Sequence, residues 1–201
     1  IGICCVNSRL TITTAADKYR TYIKLKDYGL TQPKTVLIPN QDELENAVKK
    51  LDTKFPIIMK TLRGSKGVGV LFIESERALT SIVQLMYKTD SSSDLLIQEY
   101  IKSDFDVRVI VLGGKIVGTM QRDVVEGDFR SNYSQGAKVK SYKLSQLETE
   151  QCLLSAKALD GILTAVDFIP SANPKTAPPF ILEVNSSPGS EGIEEANSGL
   201  N

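Results

Sequence analysis

The segment from Phe180 to Gly189 carries a carboxylate and a carboxamide two positions apart within a run of strand-forming apolar residues. Successive side chains of a strand point to opposite faces of the sheet, so Glu183 and Asn185 share one face while Leu182 and Val184 share the other. Two oxygen ligands on one face suggest a cation site. The alternative is an edge strand whose polar face is solvated, because an unpaired carboxylate is strongly penalised in apolar surroundings. A fold that buries this strand must supply a cation or several hydrogen bonds.

The composition limits the classes of partner. At 201 residues the chain can form one substantial core or two small lobes that share a cleft. Its 24 basic and 24 acidic residues balance, so no overall field favours nucleic acid or an anionic membrane. No apolar run approaches the roughly 18 residues that span a bilayer, and no basic segment precedes the short apolar opening. We therefore predict a cytoplasmic protein with neither a nucleic-acid nor a membrane partner.

Two residue types narrow the chemistry. The chain has no histidine, which excludes imidazole bases, Ser-His-Asp and Cys-His nucleophiles, and the usual zinc sites. Any catalysis must therefore use carboxylates, lysine, arginine and metal. The three cysteines, Cys4, Cys5 and Cys152, are odd in number and two are adjacent, which favours a reducing compartment and predicts core thiols.

Apolar periodicity and turn residues predict an α+β fold. The opening residues resemble the end of a strand, which suggests a fragment of a longer protein. We predict a linker and first helix over residues 1–34, a small lobe over 35–101 and a large lobe over 102–201. Helices are predicted at 13–29, 42–51, 75–87 and 145–159, and strands at 35–38, 57–60, 70–73, 95–101, 106–112, 115–122, 163–169 and 180–184, with a tight turn at Gly113-Gly114.

A glycine-rich loop, Gly64 to Gly69, lies between two predicted strands. It lacks the Gly-Lys-Ser/Thr ending of a Walker motif and opens no helix, so neither a P-loop nor a dinucleotide fingerprint is supported. Such a flap can lay backbone amides over a triphosphate, and a flexible hairpin tip is the alternative. Lys60 ends the preceding strand, where its ammonium could contact phosphate oxygens or be solvated.

Further polar groups follow in order along the chain. Gln98 to Ile101 lie at the predicted lobe boundary and could serve an adenine or ribose, although an amphipathic edge strand would have the same pattern. Arg108, Arg122 and the segment Arg130-Ser131-Asn132 precede Asp167. Cations near metal-bound phosphate stabilise charge during phosphoryl transfer, yet each arginine alone could be a surface residue.

In this order, the segments resemble the ATP-grasp ligases, specifically the RimK-like glutamate ligases. The resemblance covers nearly the whole chain, and its most specific pieces are Gly127 to Asn132 and Glu183 to Glu194. The segments that carry it are Asp17-Lys18, Met59-Lys60, Gly64 to Val70, Gln98 to Ile101, Asp106 to Arg108, Glu126 to Asn132, Val166-Asp167 and Glu183 to Glu194.

The resemblance implies an ATP-grasp fold in which two α+β lobes clamp ATP. Two Mg²⁺ ions, with Mn²⁺ as an alternative, would help transfer the γ-phosphoryl group to a carboxylate before an amine forms the amide. The implied metal ligands are Asp167, Glu183 and Asn185, with Glu183 bridging both ions. The implied catalytic residues beside the γ-phosphate and acyl phosphate are Arg130, Asn132 and Arg122.

The resemblance also implies the nucleotide contacts. Lys18, Lys60 and the flap would meet phosphates, Glu99 and Tyr100 would line the adenine pocket, and Asp106 would bind the ribose hydroxyls. The full implied set is Lys18, Lys60, Gly64, Ser65, Gly67, Gly69, Gln98, Glu99, Tyr100, Ile101, Asp106, Arg108 and Ser131.

Two departures from the family pattern bear on the acceptor. Tyr133 to Gly136 stand where the family usually has a basic or histidine-containing stretch, and Arg63 stands where it usually has an acidic residue. We also expect that the pre-ATP-grasp domain before Ile1 and a terminal helix after Asn201 are missing.

The expected function is an ATP- and Mg²⁺-dependent carboxylate–amine ligase that adds glutamate or a similar amino acid to a peptide or protein terminus. One alternative is a nucleotide-binding module that lost catalysis with the missing domain, and another is a small-molecule kinase. The acceptor and any homo-oligomer are left open.

Overall fold

The computed structural model describes residues 5–62, 69–90, 94–124, 138–189 and 191–197, with backbone only at Glu191 and Asn197. The chain divides into two compact units, one of residues 33–102 and one of residues 1–32 with 103–201. Each unit contains one antiparallel sheet and its own helices.

The chain begins with two helices where a single helix was predicted. α1 spans Arg9–Ala15 and α2 spans Lys18–Asp27. Ser8 caps α1, and Asp17 caps α2 by accepting hydrogen bonds from two amides of its first turn. A carboxylate that binds the amides after it starts a new helix, which is why the prediction of a continuous helix over 13–29 was wrong.

In the smaller unit, residues 33–102, two helices pack on one face of a four-stranded sheet. Alternate strand residues such as Met59 and Ile97 form the core with Leu79 and Val83 of the helices. The strand order is β1 (Thr35–Ile38), β4 (Leu95–Glu99), β2 (Ile57–Thr61) and β3 (Val70–Ile73), and the helices are α3 (Leu44–Leu51), which follows a 3-10 turn at Gln41–Glu43, and α4 (Glu76–Thr89).

The larger unit is built on a five-stranded antiparallel sheet. Leu25 and Leu30 lie in its core with Val109 and Phe168, so residues before 33 pack as part of this unit. The prediction had instead set residues 1–34 apart as a linker and first helix. The strand order is β7 (Val139–Lys140), β6 (Lys115–Asp123), β5 (Phe105–Leu112), β8 (Leu163–Ile169) and β9 (Phe180–Asn185), and the later helices are α5 (Gln146–Ala158) and α6 (Glu191–Asn197).

The tight turn predicted between β5 and β6 is confirmed. Gly113 and Gly114 both have positive φ, at 56° and 74°. A two-residue hairpin turn of the type that fits the twist of antiparallel strands requires this conformation, which glycine adopts readily.

Strand β9 departs from simple alternation. Asp167 lies opposite Glu183, but the next residue, Phe168, lies opposite Ile181, so one residue of β9 is extra. This β-bulge lets Ile181 and Val184, three positions apart, both join the core. Strict alternation, on which the sequence prediction relied, does not describe this strand.

All three cysteines were predicted to be core thiols, and this prediction was wrong for Cys5. Cys152 is buried in α5, and burial raises the pKa of its thiol. Cys5 is exposed, and Cys4 lies outside the described residues.

The helices are short. α4, the longest of those described, has 14 residues, whereas crossing a bilayer takes about 20 apolar residues. Within the described ranges, no helix has both the length and the apolar character required to cross a membrane.

Candidate functional site

Four charged side chains on neighbouring strands of the larger sheet form an ion-pair network. Asp106 and Arg108 are two positions apart on β5, Arg122 lies opposite Asp106 on β6, and Asp167 lies opposite Arg108 on β8. Residues two apart on a strand, and residues directly opposite on its neighbour, share a face of the sheet. The register of the strands therefore brings these groups together.

The two arginines contact the aspartates at short distances. Arg108 donates to Asp167 through Nε at 2.7 Å and Nη2 at 2.6 Å. Arg122 donates to Asp106 through Nε at 2.6 Å and Nη2 at 2.7 Å, and its Nη2 is also 3.1 Å from Oδ2 of Asp167. Bidentate pairs of this kind fix the relative orientation of both groups. Arg122 is only 3% exposed, so its guanidinium group is almost fully shielded from solvent.

These contacts keep Asp167 ionised. Burial alone would raise the pKa of its carboxyl, but the charges and hydrogen bonds of Arg108 and Arg122 outweigh burial and hold the pKa below its ordinary value. Burial would likewise lower the pKa of each arginine, yet the adjacent carboxylates raise both pKa values overall. Asp167 and both arginines are therefore charged at neutral pH.

The predicted metal ligands lie on two adjacent strands. Glu183 is directly opposite Asp167, and Asn185 is opposite Ala165, two positions along the same face. In the part of the chain that the structure describes, no group of three or more His, Cys, Asp or Glu side chains could hold a metal. The predicted set consists of only two carboxylates and one carboxamide.

The chemistry of this donor set fits Mg²⁺, which prefers carboxylate and carbonyl oxygens. An ionised carboxylate has about four lone-pair positions. Arg108 occupies two positions of Asp167, and Arg122 occupies one. Among the described residues, these contacts leave one position of Asp167 for a cation, and Glu183 adds a second carboxylate beside it.

A second set of polar groups lies in the smaller unit. Nζ of Lys60 donates to Oε1 of Gln98 at 2.7 Å, and Nε2 of Gln98 donates to Oγ1 of Thr35 at 2.8 Å. The Thr35 hydroxyl in turn donates to the carbonyl of Pro33 at 3.0 Å. These side chains alternate with core residues along their strands, so they lie on the sheet face opposite α3 and α4.

The segment at the predicted lobe boundary, Gln98 to Ile101, is only partly strand. β4 ends at Glu99, so the predicted strand end at 101 was two residues too late. Oε2 of Glu99 accepts a hydrogen bond from the Lys34 amide at 3.2 Å. The Tyr100 ring packs edge-on against Phe72, with ring centroids 5.0 Å apart.

Only the end of the predicted flap is described. Gly69 has φ of 80°, and a Cβ at this position would collide with the Thr61 side chain. Its carbonyl accepts a hydrogen bond from the Thr61 amide at 3.0 Å. Gly69 therefore pairs with the end of β2 in a conformation and at a distance that favour glycine. Six further predicted site residues lie outside the described residues, namely Gly64, Ser65, Gly67, Arg130, Ser131 and Asn132.

The remaining predicted site residue, Lys18, is the first residue of α2 in the larger unit. The larger sheet thus brings together one set of predicted residues, and the smaller sheet another. The first set is Asp106, Arg108, Arg122, Asp167, Glu183 and Asn185, and the second is Lys60 with Gln98.

Sequence reasoning missed Asn7 and Thr35. Nδ2 of Asn7 donates to the carbonyls of Leu163 and Ser186 at 2.7 and 2.8 Å. Its Oδ1 accepts from the amides of Ile162 and Leu163 at 2.8 and 3.1 Å. Asn7 therefore ties the residue after Asn185 to the start of β8. Its only local signal is a polar residue after an apolar run, because all of its partners are distant in sequence.

A family model described as the RimK-like ATP-grasp domain matches residues 15–201. The chain belongs to this family. The matched residues of this RimK-like ATP-grasp chain include every described strand of both units. They also include the pairs Arg108–Asp167 and Arg122–Asp106 of the larger sheet.

Relatives of this RimK-like chain are similar over almost its whole length. A probable alpha-L-glutamate ligase of Coxiella burnetii is 37% identical over 196 residues, which are 96% of this chain and 63% of that protein. A probable alpha-L-glutamate ligase of Shewanella loihica is 35% identical over 198 residues, which are 98% of this chain and 64% of that protein. The chain thus spans less than two thirds of the length of these relatives.

A solved structure supports the fold independently. The ATP-grasp ligase PsnB, in complex with a phosphomimetic variant of its minimal precursor, Mg and ADP, matches with a TM-score of 0.72 at 20% identity. The match covers 95% of this chain and 56% of PsnB. The predicted ATP-grasp fold of α+β class is confirmed.

Proposed function

We propose that this chain is the nucleotide-binding and catalytic part of an ATP- and Mg²⁺-dependent ligase that joins a carboxylate to an amine. One observation carries the proposal: Asp167 and Glu183 lie opposite each other, with Arg108 and Arg122 on the adjoining strands of the same sheet. The carboxylates suit a hard cation, and the guanidinium groups hold the Asp167 carboxylate ionised and in a fixed orientation.

Asp167, Glu183 and Asn185 would hold two Mg²⁺ ions, or Mn²⁺ in their place. The bound ions would supply positive charge that polarises the transferred phosphoryl group. Arg108 and Arg122 orient Asp167 in advance, so this ligand needs little rearrangement when the nucleotide arrives. Because Arg122 is almost fully buried, we assign it a positioning role in place of the predicted catalytic one.

The remaining roles follow the family pattern. Lys18, Lys60 and the flap glycines would bind phosphates, Glu99 and Tyr100 the adenine, and Asp106 the ribose. Arg130, Ser131 and Asn132 would lie beside the γ-phosphate and the acyl phosphate. Positioned charges of this kind do most of the work in phosphoryl transfer, so the lack of histidine is no obstacle.

The proposed reaction has two steps. A carboxylate oxygen attacks the γ-phosphorus, and the bond to the β-phosphate oxygen breaks, giving an acyl phosphate and ADP. An amine nitrogen then attacks the acyl carbon, loses a proton and displaces phosphate, which leaves an amide.

We propose glutamate or a similar amino acid as one substrate and a peptide or protein terminus as the other. The glutamate ligase names of the relatives and the peptide precursor bound to PsnB support this choice. We propose a cytoplasmic location from the odd number of cysteines, and we propose neither nucleic acid nor membrane as a partner from the balanced charge.

The test compares Glu183→Ala with the parent chain. Isothermal titration with MgATP should show about 10–100-fold weaker Mg²⁺-dependent nucleotide binding, as is common when a metal site is damaged. Glu45→Ala, at an exposed position of α3, is the matched control and should bind like the parent. Full Mg²⁺-nucleotide affinity and full ADP release in Glu183→Ala would refute the metal assignment.

Product analysis tests the reaction itself. ADP release is measured with a mixed pool of amino acids and peptides, and the products are examined by mass spectrometry. An amide product supports the ligase. Nucleotide binding without turnover would favour a binding module, and ADP release with a phosphorylated small molecule but no amide would favour a kinase.

A further inference from the structure

The hydrogen bonds around Gln98 have only one consistent arrangement. The Lys60 ammonium can only donate, so the carboxamide must present its oxygen to Lys60. The Thr35 hydroxyl uses its single proton on the Pro33 carbonyl, so toward Gln98 it can only accept. The Gln98 side chain is therefore held by a donor, Lys60, at its oxygen and by an acceptor, Thr35, at its nitrogen.

The strand register explains why these groups meet. Thr35 lies directly opposite Gln98 across β1 and β4, and Ile58 lies opposite Gln98 across β2 and β4. Lys60 is two positions beyond Ile58 on the same face of β2, which is a diagonal distance that long side chains span. Gln98 and Thr35 are each 8% exposed, so water competes little for their hydrogen bonds.

We propose that Gln98 is a positioning residue, which Thr35 orients and which holds the Lys60 ammonium for the ATP phosphates without contacting the nucleotide itself. This inference rests on the proposed function, in which Lys60 binds phosphate. It replaces the expectation that Gln98 belongs to the nucleotide contacts, and it adds Thr35 to the site.

The uncharged carboxamide matters to this role. Gln98 accepts a hydrogen bond from Lys60 but brings no negative charge toward the phosphates. A carboxylate at position 98 would form an ion pair with the ammonium and would also repel a triphosphate.

A double-mutant cycle separates positioning from direct contact, with the Kd for MgATP measured by isothermal titration. Gln98→Met keeps the approximate shape of the side chain and removes the acceptor, so we expect about ten-fold weaker binding, which corresponds to the loss of one hydrogen bond to a charged group. In a Lys60→Met background the same change should alter the Kd by less than about two-fold, because its target is gone. A ten-fold loss in both backgrounds would mean that Gln98 contacts the nucleotide directly and would overturn the proposal.

Two changes at Thr35 provide a matched pair. Thr35→Val has nearly the same shape but no hydroxyl, and it should weaken MgATP binding in the same direction as Gln98→Met. Thr35→Ser keeps the hydroxyl and should restore parental affinity. Equal affinities for Thr35→Val and Thr35→Ser would refute the orienting role, and this pair also tests the relay if Gln98→Met does not fold.

Gln98→Glu tests the importance of the neutral acceptor. It should weaken MgATP binding at least as much as Gln98→Met, because the carboxylate pairs with Lys60, repels the phosphates and cannot donate to the Thr35 hydroxyl. Parental affinity in Gln98→Glu would contradict the proposal. A parent chain without MgATP affinity would refute the proposed function itself, whereas a parent that binds with no coupling between Lys60 and Gln98 would refute this inference alone.

Discussion

Replacing Arg122 by Met removes a guanidinium group that contacts two buried aspartates and keeps an unbranched side chain in its place. Arg122 makes three close contacts, at 2.6 and 2.7 Å to Asp106 and 3.1 Å to Asp167. Removing one partner from a buried ion pair costs about 3–5 kcal/mol, because the remaining charge is left without compensation. We expect Arg122→Met to lower the free energy of unfolding by that amount near neutral pH.

The free energy of unfolding that Arg122→Met loses should become smaller as the pH is lowered. In the parent, the arginines hold the pKa of Asp167 below its ordinary value of 3.8, so their stabilisation is present above that value and is lost as pH falls through the folded-state pKa. Without Arg122 the pKa of Asp167 rises, and the variant takes up a proton at a higher pH than the parent does. The difference in stability should therefore be smaller near pH 4.5 than near pH 7, since stability follows the difference in bound protons.

Urea unfolding followed by circular dichroism measures both effects. Arg20→Met is the control, because the Arg20–Asp17 pair is 3.4 Å apart with Arg20 68% exposed, and such pairs contribute less than about 1 kcal/mol. Adding Asp106→Asn to Arg122→Met should recover part of the loss by removing one buried charge. The reasoning fails if Arg122→Met costs no more than Arg20→Met at neutral pH, or if its cost grows on acidification.

Two further predictions concern stability and use the same urea assay. Asn7→Leu leaves two carbonyls and two amides without their shared partner, so we expect a loss of about 3 kcal/mol; a loss below that of Arg20→Met would contradict it. In Gly118→Ala, the new Cβ would lie 2.7 Å from Cγ2 of Ile193 on α6, so overpacking should cost about 1–3 kcal/mol. Adding Ile193→Ala should relieve that overpacking, and two independent, additive losses would exclude the contact as its cause.

Local sequence patterns predicted most strands to within a residue or two, because alternation and turn chemistry act between near neighbours. β8 was predicted at 163–169 and is observed at Leu163–Ile169. The break at Asp17 had a local signal, because Asp is a strong N-cap residue. It was missed because the apolar periodicity continues across it. β7 has only two residues, too few for any pattern.

The pairing between strands could not be predicted in the same way. Nothing near Gln98 in the sequence indicates that Thr35 lies opposite it, because register is decided by contacts distant along the chain. For this reason Asp106 and Arg122 were predicted separately, as a ribose ligand and a catalytic residue, whereas the structure pairs them with each other. In the proposed function Asp106 keeps its predicted ribose role, whereas Arg122 positions Asp167.

The bulge in β9 gives this strand an unusual tolerance of length. Removing one residue from a strand normally turns every following side chain to the other face. Removing Leu182 would instead leave Ile181 and Val184 two positions apart, both toward the core, with Glu183 between them on the other face. Gain or loss of one residue here would change the local bend and twist, and so the direction of Glu183, without exchanging interior and exterior. The direction of the Glu183 carboxylate can thus be changed by an insertion or deletion, independently of any substitution.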